Sequence, residues 1–189
     1  MSLLLKWKDE GKLDPLIFAK LQEFIDLLIQ WNSRINLTGL HSRDTIEEAL
    51  IEESILAFWA YPLSGKKVVD FGSGAGIPGL VWSIVDPTIA LTSIEIRAKK
   101  ISFQKEVVRR LDLSSEIVHG KFPEVVRDRH FDVVTTRAVR LDQSLLDRCL
   151  ALLTSGGSIL RFVSSEADPE RDWRQIPLSK KSSLLVYTL

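Results

Sequence analysis

The stretch "VVDFGSGAGIPG" at residues 68–79 decides the fold of this chain. An apolar run of β-branched residues ends at an acid, Asp70, and a turn with four glycines follows. Glycine permits positive φ and lets the backbone approach a ligand closely, and the N-terminus of a helix behind the turn attracts a negatively charged group. The stretch therefore predicts a strand, a ligand-binding turn and a helix in succession.

Strand-like and helix-like segments alternate on the C-terminal side of this turn. Strands are predicted at 66–71, 89–95, 116–119, 131–137 and 158–163, and helices at 77–85, 99–111 and 143–153, with a short helix near 123–129. This alternation predicts an α/β, Rossmann-like fold with a mostly parallel sheet, helices on both faces and ligands at the carboxyl ends of the strands. The tail at 173–189 is predicted to add a closing antiparallel pair.

The first part of the chain is predicted to be helical. Apolar residues recur on one helical face between Pro15 and Ile35. Asp44 followed by Glu47 resembles a capping box that opens a second helix through about Ala60. The predicted domains are thus an N-terminal helical extension over 1–62 and a ligand-binding domain over 63–189.

Composition and charge narrow the class of protein. The net charge is +0, but residues 1–62 hold 6 basic and 10 acidic residues, whereas 63–140 hold 13 and 9. The basic excess around the turn favours an anionic partner. Cys149 is the single cysteine in the sequence, which excludes an intrachain disulfide and a multi-cysteine zinc site, and the three histidines lack metal-ligand spacing. We expect no metal, no membrane span and a cytoplasmic location.

Three kinds of ligand site compete for the glycine turn. A phosphate-binding P-loop requires Gly-Lys-Ser/Thr, which is missing from the sequence. A dinucleotide site fits the pattern of Gly74, Gly76 and Gly79, with Glu95 at the end of the second strand as ribose ligand. An S-adenosyl-L-methionine site also fits, with Asp70 facing the methionyl ammonium and Glu95 accepting from both ribose hydroxyls. The acid ahead of the glycines favours S-adenosylmethionine, and the dinucleotide site stays open as an alternative.

Four motifs give the chain a family resemblance. They are "WNSRINLTGL" at 31–40, "DFGSGAGIPG" at 70–79, "KK" at 99–100 followed by Phe103, and "FDVVTTRA" at 131–138. Over roughly residues 15–165 the chain resembles the ribosomal small-subunit RNA methyltransferase G family, also called glucose-inhibited division protein B. The resemblance implies a class I methyltransferase fold with an N-terminal helical extension. It also implies methyl transfer from S-adenosylmethionine to N7 of a guanine in small-subunit ribosomal RNA.

The resemblance and the motifs together predict the site residues. The predicted cofactor-binding residues are Asp70, Gly72, Gly74, Ile77, Glu95, Phe122, Pro123 and Arg137. Guanine N7 carries a free lone pair, so the attack needs no general base, and Arg137 is the predicted catalytic residue near the reacting end. Lys99, Lys100 and Arg140 are predicted to contact RNA, and the expected partner is ribosomal RNA or the small subunit, bound by a monomer.

The sequence departs from the family pattern away from the turn. Ala49-Leu50 stands where the family usually has Arg-His, Lys121-Phe122-Pro123 replaces its Arg-x-Glu, and Val163-Ser164 replaces its Lys-Gly. These positions lie on the predicted RNA side and at the adenine edge. Two alternatives therefore stay open: a methyltransferase of the same fold acting on another RNA or a small molecule, and a catalytically weak relative that binds RNA or ribosomes.

Overall fold

The structure, a computed structural model, describes residues 2–167 and 172–189. The helices are α1 (Leu3–Asp9), α2 (Pro15–Ile35), α3 (Arg43–Ile46), a π-helix (Glu47–Glu52), α4 (Glu53–Ala60), α5 (Gly79–Val85), α6 (Ala98–Leu111), a 3₁₀-helix (Glu124–Val126) and α7 (Gln143–Ala151). The strands are β1 (Lys67–Phe71), β2 (Ala90–Glu95), β3 (Glu116–His119), β4 (Phe131–Arg137), β5 (Leu153–Ser164), β6 (Arg174–Pro177) and β7 (Ser182–Thr188).

The strands form one mixed sheet in the order β3-β2-β1-β4-β5-β7-β6. The neighbours from β3 to β5 are parallel, and β7 is antiparallel to both β5 and β6. The predicted α/β fold and the predicted antiparallel closing pair are therefore confirmed. The order changes direction between β1 and β4, and a sheet of this kind opens a crevice at the carboxyl ends of the strands at such a point.

Side chains of β1 point alternately to the two faces of the sheet, as the period of a strand requires. Val68 packs in the core between the sheet and helices α1, α2, α4, α5 and α6, whereas Val69 packs in the core shared with α7. The indole of Trp82 on α5 donates a 2.7 Å hydrogen bond to the carbonyl oxygen of Ser54 on α4. The helices of 1–62 thus form a layer on one face of the sheet. The predicted domain boundary falls between α4 and β1 and remains a prediction.

The second predicted helix differs from the structure in its start and its winding. Ser42 caps it, because its hydroxyl accepts from the Thr45 amide at 3.2 Å, so the predicted capping role of Asp44 is wrong. Ser42 lies two residues before Asp44, so the helix begins earlier than predicted and Asp44 lies inside its first turn. The helix also widens to a π-helix at Glu47–Glu52 before α4, which the spacing of apolar residues did not indicate.

The fifth strand is longer than predicted, and the first helix was not predicted at all. The helix was predicted to extend to 153 and the strand to begin at 158, but β5 begins at Leu153 and includes Ser155, Gly156 and Gly157. The pairing of β4 with β5 is irregular between Phe131 and Val133, and this irregularity accommodates them. Helix α1 has seven residues, too few to show a helical period.

Candidate active site

A large cavity lies at the carboxyl ends of β1, β2 and β4, where the sheet order reverses. Its volume is about 720 Å³, which lies within the range of small-molecule sites in proteins. Its lining includes residues 71–75, 94–97, 120–122 and 137–139, together with three residues of the N-terminal segment. The cavity is therefore built by the glycine turn, by the ends of three strands and by the helical extension.

Most of the predicted site residues line this cavity, and the others lie behind or beside it. The predicted residues in its lining are Gly72, Gly74, Ile77, Glu95, Lys100, Phe122 and Arg137. Outside the lining are Asp70, Pro123, Lys99 and Arg140. The structure thus brings these seven residues together around the cavity. The role of each residue remains a prediction.

Gln104 on α6 holds the glycine turn in place, although the sequence did not single it out. Its Nε2 donates to the carbonyl oxygen of Gly74 at 2.8 Å and to the hydroxyl of Ser73 at 2.9 Å. Its Oε1 accepts from the hydroxyl of Ser93 on β2 at 2.7 Å. All polar atoms of this side chain are thus used in the buried interior, and they fix the turn to α6 and β2.

Two glycines of the turn are required by their surroundings. Gly72 has a φ of +62°, and a Cβ there would lie 2.8 Å from Cγ2 of Val139. At Gly79 a Cβ would meet Oδ2 of Asp70 and the Leu91 side chain, each at 2.9 Å. A larger residue would therefore displace the cavity wall at Gly72 and the strand–helix contact at Gly79.

Glu95 lies at the end of β2 and faces the turn across the cavity. Its Oε2 accepts from the Gly74 amide at 2.9 Å, and its Oε1 accepts from the amides of Ile96 and Arg97 at 2.8 and 2.9 Å. A carboxylate has about four lone-pair sites, and three are used here. The remaining site is on Oε2, where one ribose hydroxyl can donate, and the predicted binding of both hydroxyls by Glu95 stays a prediction.

Asp70 lies beneath the turn, where it is fully buried. Its Oδ2 accepts from the Gly79 amide at 3.0 Å, and its Oδ1 has no hydrogen-bond partner among residues 2–167 and 172–189. The pKa of Asp70 is raised to about 7, mainly by burial and to a smaller extent by Glu95, although the Gly79 hydrogen bond and Arg137 oppose the rise. In this arrangement Asp70 fastens β1 to α5, and the predicted contact with the methionyl ammonium stays a prediction.

Two aromatic rings close one end of the cavity. Phe122, which follows β3, stacks on Phe71 with ring centroids 4.1 Å apart and an interplanar angle of 9°. Both side chains line the cavity. They give this end the flat, apolar wall that a planar base requires. Pro123, one residue further on, lies outside the lining.

Arg137, at the end of β4, is tied to the N-terminal segment. Its Nη2 donates to Oε2 of Glu53 at 2.6 Å and to the carbonyl oxygen of Ala49. The guanidinium also lies over the ring of Phe162, 4.9 Å from its centroid. Nη1 is buried and has no hydrogen-bond partner among the described residues. The side chain of Arg137 is thus held in place by Nη2. Its other terminal donor, Nη1, has no acceptor in residues 2–167 and 172–189.

The three predicted RNA contacts differ in position. Lys100 lies in the first turn of α6, and its Nζ would be 3.6 Å from a Cβ at Gly74, so the ammonium covers the glycine turn. Lys99 and Arg140 are exposed outside the cavity. Arg97, which was not among the predicted RNA contacts, lines the cavity mouth.

The N-terminal segment contributes residues to the cavity wall, a position that the sequence did not assign to them. Leu37, Thr38 and Leu50 line it. Asn32 holds their loop, because its Nδ2 donates to the carbonyl oxygen of Leu40 at 2.8 Å and its Oδ1 accepts from the Thr38 amide at 2.9 Å. The Trp-Asn motif at 31–32 was the signal that pointed to this loop, but its geometry was not readable from sequence.

Neither a metal centre nor a membrane span emerges from the described residues. In 2–167 and 172–189, no group of three His, Cys, Asp or Glu side chains is placed to hold a metal ion. No helix in the same ranges is long and apolar enough to cross a membrane.

Comparison of the sequence with known proteins identifies its relatives. The profile of the family described as GidB, rRNA small subunit methyltransferase G, matches residues 17–184. The ribosomal RNA small subunit methyltransferase G of Moorella thermoacetica is 32% identical over 86% of this chain and 71% of its own length. The protein of the same name from Lactobacillus delbrueckii subsp. bulgaricus is 28% identical over 94% of this chain and 77% of its own length. The chain spans between 62% and 77% of the length of these and similar curated relatives.

Comparison with solved structures shows the fold. A SAM-dependent methyltransferase from Aquifex aeolicus superposes with a TM-score of 0.58 and 13% identity, over 76% of this chain and 92% of that one. A SAM-dependent methyltransferase from Thiobacillus denitrificans, in complex with S-adenosyl-L-homocysteine, superposes with a TM-score of 0.54 and 23% identity, over 68% of this chain and 51% of that one.

The fold, the site and the family match together define a methyltransferase of the class that uses S-adenosylmethionine. The sequence matches identify the family within this class: the chain belongs to the rRNA small subunit methyltransferase G family. The predictions of the fold class, the family and the cofactor are therefore confirmed, and the dinucleotide alternative loses its support.

Proposed function

We propose that this protein transfers a methyl group from S-adenosylmethionine to N7 of a guanine in small-subunit ribosomal RNA. The observation that carries the proposal is the cavity at the reversal of the sheet order, which brings the glycine turn, Glu95 and Arg137 around one volume in a chain of this family. The relatives' names state an rRNA methyltransferase of the small subunit. The N7 position and the cellular setting, a monomer in the cytoplasm, are part of the proposal.

The residues around the cavity fit the cofactor. Oε2 of Glu95 keeps one acceptor site for a ribose hydroxyl, and the stacked pair of Phe71 and Phe122 offers a flat wall to adenine. Gly72 and Gly74 keep the turn free of side chains where the amino-acid end would pass. The buried atom Oδ1 of Asp70, which has no partner among the described residues, is suited to the methionyl ammonium or to water bound with it.

The chain's own residues have a limited chemical task. When bound, S-adenosylmethionine supplies the methyl group on a sulfonium that leaves as a neutral thioether. The lone pair of N7 forms the new bond in line with the departing sulfur, so no proton must be removed for the attack. What the protein must do is hold the base within near-attack distance and exclude water. Arg137 suits this task, because it is fixed by Glu53 and Ala49 and keeps one donor for the base.

Charge around the cavity mouth suits an RNA partner. Arg97 and Lys100 line the cavity, and Lys99 and Arg140 are exposed beside it. Lysine and arginine near a site neutralise RNA phosphates and release counterions, which strengthens binding at low salt. A guanine in folded RNA must also be unstacked to enter a pocket, which favours a site flanked by cations and apolar side chains.

The deciding experiment is a methyl-transfer assay with two acceptors. Small ribosomal subunits, and the deproteinised RNA from them, are prepared from cells that lack this gene and are incubated with the protein and S-adenosylmethionine. Mass spectrometry of the digested RNA then identifies and maps the methylated nucleoside. We expect N7-methylguanine in the small-subunit RNA. Methylation of another base, or none on either acceptor, contradicts the proposal and favours the alternatives of another acceptor or a binding relative.

Calorimetry with S-adenosylhomocysteine tests the cofactor half separately. Three backbone amides donate to the Glu95 carboxylate, and in Glu95→Gln a side-chain NH₂ replaces one of the two acceptor oxygens. We therefore expect the affinity of this variant for S-adenosylhomocysteine to fall at least tenfold. Glu116→Gln on the neighbouring strand changes the same charge at an exposed ion pair and should leave the affinity unchanged. Equal affinity of both variants would contradict the assignment of Glu95, and binding of NAD instead would contradict the cofactor.

A further inference from the structure

An ion pair joins the end of β4 to the N-terminal segment inside the cavity wall. Nη2 of Arg137 and Oε2 of Glu53 are 2.6 Å apart, and their side chains are only 20% and 10% exposed. Glu53 is the first residue of α4, directly after the π-helix that ends at Glu52. Ala49, within that π-helix, presents its carbonyl oxygen to the same Nη2. One donor group of Arg137 is thus held by two acceptors from the extension.

The contacts of Arg137 fix the direction of the whole guanidinium. Phe162 supports one of its planar faces, and Nη2 is held by Glu53 and Ala49. A guanidinium is rigid and planar, so fixing Nη2 and one face also fixes Nη1. Nη1 is buried and has no acceptor among the described residues. A buried donor of a charged group without an acceptor is costly, so it marks a place where a ligand or bound water supplies one.

The position of Arg137 assigns it to the acceptor half of the cavity. Strand β1 lies between β2 and β4, so Glu95 and Arg137 stand on opposite sides of the glycine turn, about two strand spacings apart. Glu95 and Phe122 are on the side where the adenosyl group fits. On the side of Arg137 the extension reaches the cavity wall, because Ala49 and Glu53 bind Arg137 and Leu50, next to Ala49, lines the cavity.

We propose that Glu53 is a positioning residue for the acceptor: it aims Nη1 of Arg137 at O6 of the guanine. The inference rests on the proposed function. O6 lies beside N7 on the same edge of guanine, so a donor on O6 alone orients the base and leaves the N7 lone pair free. Glu53 touches neither the base nor the cofactor in this arrangement. It acts through Arg137, and it makes the helical extension part of the methyl-transfer site.

The charge of Glu53 matters as well as its geometry. Glu53 also accepts from the hydroxyl of Ser179 at 3.3 Å through Oε1, so both of its oxygens have partners. A glutamine at this position keeps the size but loses the charge, and only one of its terminal atoms accepts. Arg137 would then lose its ion pair and gain freedom to turn, and Nη1 would no longer be fixed.

The test compares Glu53→Gln, Glu53→Asp and the control Glu48→Gln. Glu48 lies in the same π-helix and forms an exposed ion pair with Lys181 at 3.5 Å, so its replacement removes the same charge away from Arg137. Initial rates of methyl transfer to small ribosomal subunits from cells lacking the gene give kcat and KM. Calorimetry with S-adenosylhomocysteine gives cofactor affinity, and thermal unfolding gives the folded fraction.

We expect kcat/KM of Glu53→Gln to fall on the order of tenfold to a hundredfold, as for other displaced positioning groups. Affinity for S-adenosylhomocysteine should stay within about twofold, because a role confined to the acceptor leaves cofactor binding unchanged. Glu53→Asp restores the charge and should recover part of the rate, and Glu48→Gln should match the unaltered protein.

A modified acceptor separates positioning from a merely structural role. An RNA fragment carrying 2-aminopurine at the mapped nucleotide keeps N7 and lacks O6. The unaltered protein should prefer guanine over 2-aminopurine, and Glu53→Gln should lose most of that preference. Equal preference in both proteins, or a loss of S-adenosylhomocysteine affinity in Glu53→Gln, would overturn the inference. If the unaltered protein transfers no methyl group, the proposed function itself fails, which is a different result.

Discussion

The backbone amide of Gly79 donates a 3.0 Å hydrogen bond to Oδ2 of Asp70, so the end of β1 is fastened to the first turn of α5. Because Asp70 is fully buried, its pKa rises from 3.8 to about 7. The charge of this buried acid is therefore costly at neutral pH. Its protonation should make the stability of the protein depend on pH.

Asp70→Asn should stabilise the protein at high pH and much less at low pH. The raised pKa means that the folded state holds the proton more tightly, so the stabilisation by protonated Asp70 is complete below about pH 4 and lost as pH rises to 7. Asparagine carries no charge, so its advantage should grow over that window to the order of a few kcal/mol. Urea unfolding of both proteins between pH 4 and pH 8 measures this difference.

Asp86→Asn is the matched control and should show the opposite slope. Partial burial pushes the pKa of Asp86 up, but hydrogen bonds from Ser64 and Thr88 outweigh it and lower the pKa. The stabilisation by charged Asp86 is therefore present at neutral pH and lost on acidification. A stability difference for Asp70→Asn that does not change with pH would show that the buried acid does not titrate near neutral pH.

Gly72→Ala should damage the cavity, whereas Gly65→Ala should not. Both glycines have positive φ, +62° and +71°, so alanine costs about 1 kcal/mol of backbone strain at each. A Cβ at Gly72 also lies 2.8 Å from Val139, which lines the cavity, but a Cβ at Gly65 meets open space. We expect S-adenosylhomocysteine affinity to fall at least tenfold in Gly72→Ala alone, by calorimetry. An equal loss of affinity in both variants would show that backbone strain, and not the contact with Val139 in the cavity wall, causes the effect.

Gln104→Leu should destabilise the fold by roughly 2 to 4 kcal/mol, because it removes three hydrogen bonds from the interior. The Ser93 hydroxyl and the carbonyl oxygen of Gly74 lose their bonds to the amide, and the Ser73 hydroxyl keeps only its bond to the carbonyl oxygen of Ile94. The free energy of unfolding in urea is the measurement. Gln143→Leu, which removes an exposed hydrogen bond to Asp147, should change it by less than about 0.5 kcal/mol. A small decrease for Gln104→Leu would mean that bound water replaces the amide.

Substituting Lys99 and Arg140 together by glutamine should weaken RNA binding without affecting the cofactor. Both side chains are exposed outside the cavity, so they can meet phosphates only. The slope of log affinity against log salt should become less steep by about one for each phosphate that is no longer neutralised. Filter binding of small-subunit RNA at several salt concentrations gives the slope. The control is the double variant Lys105→Gln and Arg109→Gln, further along α6. An equal change of the salt slope in the control would show that the RNA-binding surface also includes this part of α6.

Much of this molecule was predictable because its strands and helices are short, local patterns. The turn after β1 could be predicted from Asp70 and the glycines that follow it, because glycine is the residue that most readily adopts positive φ. The amphipathic helix at Ala98–Leu111 was predicted to within one residue of its start. The family resemblance then supplied the functional class, which no periodicity contains.

What failed depends on contacts between distant residues. The ion pair of Arg137 with Glu53 joins residues 84 positions apart, and the amide of Gln104 reaches a turn 30 positions earlier. A lone Gln on a helix has no local mark of such a role. The hydrogen bond from the Gly79 amide to Asp70 likewise joins residues nine positions apart, on either side of the turn.

The shared core between the extension and the sheet also limits how the chain can be divided. Leu28 of α2 and Val68 of β1 belong to one cluster of buried side chains. The indole of Trp82 on α5 is also hydrogen-bonded to the carbonyl oxygen of Ser54 on α4. A fragment beginning at residue 63 would carry the whole glycine turn but would expose an apolar sheet face to water. Such a fragment should aggregate, so a minimal catalytic unit cannot be cut from this protein at the point where its cofactor motif begins.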